Sequence, residues 1–431
     1  MAVRVRDLSR RDVLYLAGAS AGAALLACGD NAPFRSPGAS DGAAIFEPSP
    51  DGFLLSAWSA LAHAFTIEVR TDDGELVASE TIDVGPNRQA LLEITGLAAR
   101  TRYQVTALGD DGTMLGPHRT RTAPDPEDTA PVRIAVGADL DPIPDFASDL
   151  FDHLIAADPD VLLTIGDVPY TDDGPVALTV EEYRARHALL RTYPPVRQLM
   201  EAMPIAAIYD DHEFRNNWDA SFVASEPDRY AAAMQVWDEF FPQRAPVGEV
   251  RYRTFRWGAN VEVFMLDCRR FRSADAAPDD ANKTMLGATQ KAWLFAALAA
   301  STATFKLLMT SVPLDFGIGN DHWAAFSTER EELLAYIHSR ALPGVLFLSG
   351  DQHYFAAYTH SYGLHEFQVG PLARGLGTVG PVTPDVLFRD VRYNFGLIDI
   401  DGDQLTISGV GPGGVVFYKQ TLSAADLAPR P

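Results

Sequence analysis

Four apolar runs in this chain each stop at a carboxylate, and two of the four add a histidine. Asp139 and Asp141 follow Arg133-Ile134-Ala135-Val136. Gly166-Asp167-Val168-Pro169-Tyr170 follows the run from Val161 to Ile165, and Asp210-Asp211-His212-Glu213 follows Ile205 to Ile208. Gly350-Asp351-Gln352-His353 follows Val345 to Leu348. Short apolar runs alternating with longer helical stretches describe buried strands of a layered α/β domain. In an open α/β sheet the carboxyl ends of the strands share one edge, so these groups can converge on one pocket. Converging carboxylates repel unless positive charge sits among them, and bound metal ions are the simplest source of it.

Each position also has a plainer reading. Asp139 can offer a hard oxygen to a cation, but a single Asp after a strand serves equally as a turn or capping residue. Asp167 is more specific. A strand ending in Gly-Asp turns sharply and aims the carboxylate outward, where it could bridge two cations, and Tyr170 lies within reach of the same centre. In the 210–213 cluster Asp211 reads as a ligand. His212 reads as a proton donor whose imidazolium the flanking acids favour, and Asn217 could supply an amide oxygen. The same cluster also fits a helix start decorated with acids. Asp351 and His353, one residue apart in an extended segment, would point to one side and bind one ion together. Arg269 and Arg374 could contact an anionic substrate by two-point guanidinium geometry, or each could be a structural ion pair. Asp267 and Arg269 are expected to brace the sheet edge as a pair, and Cys268 reads as a buried thiol.

The rest of the chain divides by pattern. Residues 1–28 hold Arg10-Arg11 ahead of a short Ala/Gly-rich apolar stretch ending in Leu25-Leu26-Ala27-Cys28. This resembles a twin-arginine export signal closing on a lipoprotein box, with Cys28 as the lipidated residue; a plain signal with an incidental cysteine is the alternative. Residues 29–44 read as a flexible tether. Residues 45–125 show short alternating strands with Asp-Gly turns, the signature of a small antiparallel sandwich. Trp58 and Thr95-Gly96-Leu97 with Tyr103 resemble a fibronectin type III domain. After a Pro-rich acidic linker, the α/β domain spans about 131–422. With 431 residues the chain can hold two sizeable cores, and its formal charge of -23 argues against a nucleic-acid partner. Two cysteines make no disulfide framework.

Taken together, the motifs Gly166-Asp167…Tyr170, Asp210-Asp211-His212-Glu213…Asn217-Trp218, Phe264-Met265-Leu266-Asp267-Cys268-Arg269…Arg272, Leu286-Gly287-Ala288…Gln290…Trp293-Leu294, Leu348-Ser349-Gly350-Asp351-Gln352-His353-Tyr354 and Asn394-Phe395-Gly396 resemble the PhoD-like alkaline phosphatases of the calcineurin-like metallophosphoesterase superfamily. The resemblance implies a layered β-sandwich flanked by helices and hydrolysis of phosphate esters, with iron and calcium among the metals. It implies metal-site roles for Asp167, Tyr170, Asp351 and His353, a further ion held by Asp211 and Asn217, and proton donation by His212. Asp139 stands where the family commonly has a cysteine. That makes the first site harder, weakens the case for iron and admits other divalent ions. Thr310 and Ser311 stand where a histidine ligand is common in the superfamily. The expectation is an exported phosphoric ester hydrolase, periplasmic or extracellular. It would carry two or more metal ions and act on mono- or diesters by metal-activated hydroxide attack, with Asp167 and His212 central. Alternatives are a phospholipase D-like diesterase for lipid or teichoic-acid-type substrates and a catalytically inactive, surface-anchored binding protein.

Overall fold

Residues 42 to 121 form seven strands, β2 (Gly42–Ser49), β3 (Gly52–Trp58), β4 (Ala64–Thr71), β5 (Leu76–Asp83), β6 (Gln89–Thr95), β7 (Arg102–Gly109) and β8 (Met114–Arg121), of which β4 and β7 alternate cleanly between buried and half-buried positions. They follow a short N-terminal strand, β1 (Arg4–Asp7). The computed structural model describes residues 3–8 and 41–430, save for 86, 88, 143–145, 245–249, 316, 318 and 381. The paired arginines, the apolar stretch to Cys28 and most of the expected tether lie outside the described residues. Strands β5, β4, β7 and β8 form one antiparallel sheet, and β2, β3 and β6 pack over it. The alternate residues Phe65, Ile67, Val69, Val105, Phe53, Leu55, Leu92 and Ile94 interdigitate in a closed core. Strand β1 lines the free edge of β6, with Arg6 opposite Glu93.

Strand β2 begins three residues inside the expected tether, because Ala43 and Ala44 are buried on its two opposite faces. It is almost wholly buried, since one face serves the sandwich core and the other packs against a second domain. Phe46 pairs in parallel with Ile205 of β11 (Ile205–Ile208), so the first sheet runs on without a break. Its order is β1-β6-β3-β2-β11-β10-β9-β19-β20-β21, where β9 is Val132–Gly137, β10 Val161–Ile165, β19 Phe395–Asp401, β20 Gln404–Val410 and β21 Val416–Ser423. The sandwich and the α/β domain therefore share one sheet.

A second, seven-stranded sheet stacks on it in the order β12-β13-β14-β15-β17-β16-β18. These strands are Arg253–Trp257, Val261–Met265, Phe305–Met309, Val345–Ser349, Phe355–Thr359 (β16), His365–Gln368 (β17) and Val386–Asp390 (β18). Ile134, Val136, Leu163, Ile165, Val263, Met265, Leu307 and Leu346 fill the space between the sheets. Helices α1 (Asp149–Ala156), α2 (Val180–Leu190), α3 (Pro194–Ala202), α4 (Ala220–Ser225) and α5 (Pro227–Phe240) cover the outer face of the first sheet; α6 (Gly287–Ala300) and α7 (Ser327–Ser339) cover that of the second. The expected single helix from 180 to 199 is two helices. Pro194 and Pro195 lack the N–H that a helix interior requires and instead start a new helix. No described helix is long and apolar enough to cross a membrane.

Strands β9, β10 and β11 run parallel in one sheet, and β13, β14 and β15 run parallel in the other. Their carboxyl ends meet where the sheets approach most closely. A Cβ on Gly350 would lie 2.7 Å from the Cβ of Ala138, so only glycine lets the turn after β15 sit against the turn after β9.

Candidate metal centre

Five residues at these strand ends hold their backbones in the left-handed region: Asp139 (φ 57°), Asp167 (60°), Asn217 (52°), Asp351 (70°) and His353 (59°). Ten described non-glycine residues have positive φ, so half of them fall in one place. Such strain persists only where the surrounding structure enforces it, and it gathers at functional sites. The sequence supplies the turn at Gly166 (φ 81°), where any side chain would strike Asp210 at 2.5 Å.

The turns bring their acids together. Ligand atoms of Asp139, Asp167 and His353 lie within 4.8 Å of one another, and so do those of Asp167, Asp210, Asp211 and Asp351, so Asp351 and His353, expected to serve one ion from an extended segment, fall in different groups because both backbones are left-handed. Asp167 belongs to both groups, as a bridging residue must. Tyr170 Oη lies 3.0 Å from Asp167 Oδ2 and 2.8 Å from His353 Nε2. His353 Nδ1 donates to the Gly375 carbonyl at 2.6 Å, which fixes the tautomer and leaves the Nε2 lone pair facing the pocket.

Electrostatics make the case for cations. Both oxygens of Asp139 are fully buried and accept no hydrogen bond, and Asp211 Oδ1 is in the same condition. Burial, followed by the charge of Asp210, holds the Asp139 carboxyl well above its ordinary range. Burial and Asp211 do the same to Asp167, and burial and Asp321 to Asp351. Unpaired buried carboxylates are costly, and the ordinary remedy is a cation among them. The donor set is all oxygen apart from one imidazole, which suits hard or borderline divalent ions. Asn217 bears on the same point. Its amide N–H caps Asp211 Oδ2 at 2.5 Å. Its terminal amide lies against Asp321 Oδ2 (2.9 Å) and Asp211 Oδ2 (3.1 Å) and donates to both with its nitrogen inward. With its oxygen inward it needs a cation between.

His212 sits at the rim, its ring stacked on Tyr170 at 4.0 Å. Its Nδ1 is 2.7 Å from Asp172 Oδ1. Burial works against its positive charge, but Asp211 and Asp172 outweigh burial and push it up to about 9. Asp172 thus anchors one nitrogen of the ring.

The two arginines part company. Arg269 is fully buried, with Nε 2.5 Å and Nη2 2.8 Å from Asp210 and Nη2 2.9 Å from Asp321. The expected substrate contact by Arg269 is corrected accordingly: it is the counter-charge beneath the acid cluster, with no exposed face to offer an anion. Its expected pairing with Asp267 is corrected as well. The Asp267 carboxylate accepts from Tyr209 Oη and from the Arg269 and Arg270 amides, not from the guanidinium. Arg374 stays at the rim, its guanidinium 4.1 Å above the Tyr170 ring, held by Asp173 and by Asp141 at 3.2 Å. Sequence reasoning missed Asp172, Asp173 and Asp321. The doublet Asp172-Asp173, two residues past Tyr170, was the available signal for the first two. Asp321 sits in an ordinary loop and gives none.

The model of the PhoD-like phosphatase family matches residues 144–382, more than half of the chain. The chain belongs to the PhoD-like phosphatase family. The matched span contains Asp167, Tyr170, Asp211, His212, Asn217, Asp351, His353 and Arg374, and it leaves Asp139 outside. Alkaline phosphatase D of Bacillus subtilis (strain 168) is 31% identical over 207 residues, which is 41% of this chain and 35% of that protein. The match thus spans about a third of the curated relative's length. The structure superposes on that of PhoD with a TM-score of 0.79 at 21% identity, covering 91% of this chain and 90% of the other. The purple acid phosphatase PPD1 of yellow lupin (Lupinus luteus) seeds gives 0.62 at 14% identity, covering 90% and 75%. At these identities the likeness to the two structures is one of fold.

Proposed function

We propose that the chain is an exported, metal-dependent phosphoesterase of the alkaline phosphatase type. One observation carries this reading: Asp139, Asp167, Asp211, Asp351 and His353, drawn from the ends of four strands, converge through Asp167, and both buried oxygens of Asp139 accept no hydrogen bond. Asp139, Asp167, Tyr170 and His353 would hold one ion. Asp167, Asp211, Asp351 and Asn217 would hold another. Such ions supply a hydroxide nucleophile and neutralise phosphoryl oxygens. The resemblance suggests iron and calcium, and Asp139, a hard ligand, would admit other divalent ions. Arg374, pinned by Asp141 and Asp173, would take a phosphoryl oxygen at the pocket mouth. His212, oriented by Asp172, would give its proton to the departing alkoxide. Elemental analysis of the purified chain, followed by graded chelation with assay of a phosphate ester, tests the reading. Full turnover after complete removal of metal would end it.

A finer reading concerns the ester. Val176 and Leu178 are exposed on the loop that carries Asp172 and Asp173, and Leu376 is exposed beside Arg374. Exposed apolar side chains on the segments that carry these rim residues would favour a diester with an apolar group over a small hydrophilic monoester. Parallel assay of a monoester and a lipid diester separates the two. The three-on-four strand arrangement supports a fibronectin type III-like reading of the N-terminal sandwich. The twin-arginine leader and a lipid anchor at Cys28 rest on sequence pattern, and mass spectrometry of the processed N-terminus tests them.

A further inference from the structure

Behind the Asp351 turn lies a charged network that takes no part in the chemistry above. Glu366 in β17 is 0% exposed. Its Oε1 accepts from Ser349 Oγ at 2.5 Å and from the Leu314 N–H at 3.0 Å, and its Oε2 faces His360 Nε2 at 2.7 Å. His360 is also buried, with Nδ1 3.5 Å from Asp385 Oδ2 and its ring stacked 5.8 Å from that of Tyr358. A buried ion pair is weak evidence for stability, since well-packed apolar side chains commonly do as well. The partners of Glu366 have something else in common. Ser349 ends β15, two residues before Asp351. Leu314 lies in the loop after β14, three residues past Ser311, a donor to Asp210. One carboxylate thus joins the two loops through which the second sheet reaches the acid cluster.

We propose that Glu366, opposite His360, is a positioning residue that locks the Asp351–His353 turn against the Ser311–Leu314 segment and so sets how tightly the pocket holds its cations. The proposal rests on reading the pocket as a metal centre. Glu366 touches neither ion nor ester; it acts through Ser349 and Leu314. Outer partners of this kind orient ligands, and their loss typically weakens metal retention about 10- to 100-fold.

The test uses the full chain with Ser349→Ala, Glu366→Gln and His360→Gln. Ser349→Ala removes one hydrogen bond to the clamp and decides the matter should Glu366→Gln fail to fold. Ions per chain are measured against a graded chelator, amide hydrogen exchange is followed across 349–353, and kcat and KM are determined. The variants are expected to release their ions at about tenfold lower chelator, to exchange faster at 350–353 and to recover turnover in excess of the same ion with KM unchanged. Ser349→Ala and Glu366→Gln chains that keep wild-type retention and wild-type exchange overturn the proposal. A wild-type chain that binds ions yet cleaves no phosphate ester sinks the hydrolase reading alone, and faster ion loss in the variants then still supports the clamp.

Discussion

Replacing Asp167 with asparagine preserves the side chain's shape and removes the one charge common to both ligand groups. Turnover should fall at least about a thousandfold, the scale on which metal-assisted hydrolysis depends on its ions. Bound metal should fall with it, read by elemental analysis of the dialysed variant. His212 carries a different expectation. As a proton donor it matters in proportion to how poor the leaving group is, so His212→Asn should cost about 10²–10⁴ in kcat for an alkyl ester and far less for a nitrophenyl ester. Asp172→Asn should show the same leaving-group pattern at smaller amplitude, because it removes only the anchor on Nδ1. Equal losses across leaving groups would assign His212 to ligation instead. Much of this was legible in the sequence, because the acids follow their strands directly and adjacency survives folding. The role of Arg269 was not legible. Its partners Asp210 and Asp321 lie 59 and 52 residues away, and nothing local distinguishes an arginine beneath an acid cluster from one above it.

At the scale of elements, the strand at His365–Gln368 brings a titration into the core. Burial opposes the charge on His360, but Asp385 and Glu366 raise it to about 9, from an ordinary 6.5. The groups around it are Glu366, Asp385 and the Tyr358 ring, with Arg330 acting on Asp385. A raised folded-state value means that the native chain keeps the proton longer. The stabilisation is therefore complete below about pH 6.5, fades as pH rises and is gone above about pH 9, amounting to about 2–4 kcal/mol. Denaturant unfolding of wild type and His360→Gln should differ at pH 6 and converge near pH 9.5. The helices show where pattern reading stops. Residues 180–199 read as one helical stretch rich in Arg and Leu, while the paired prolines imposed a break. Thr179 and Glu182 form a reciprocal cap at the start of α2. Thr179→Ala should cost about 1 kcal/mol, visible as a lowered Tm.

For the molecule as a whole, β2 belongs to the sandwich by one face and to the α/β layer by the other. Its run Ala43-Ala44-Ile45-Phe46 lacks alternation, which is the mark of a strand buried on both sides, but the sequence does not say what covers the second side. Glu47 at its end pairs with Arg253 of β12, whose guanidinium also reaches the Ala207 carbonyl of β11 at 2.9 Å. Both side chains are buried. Glu47→Ala strands a buried cation and should destabilise the chain by about 3–5 kcal/mol. The two regions should melt as one in calorimetry, and two separated heat peaks would count against this coupling. A shared strand also limits how such chains can diversify. The N-terminal module cannot be exchanged like a bead on a string, because any replacement has to arrive with a strand that fits the neighbour's open flank, and a clean deletion would leave the α/β half missing a wall.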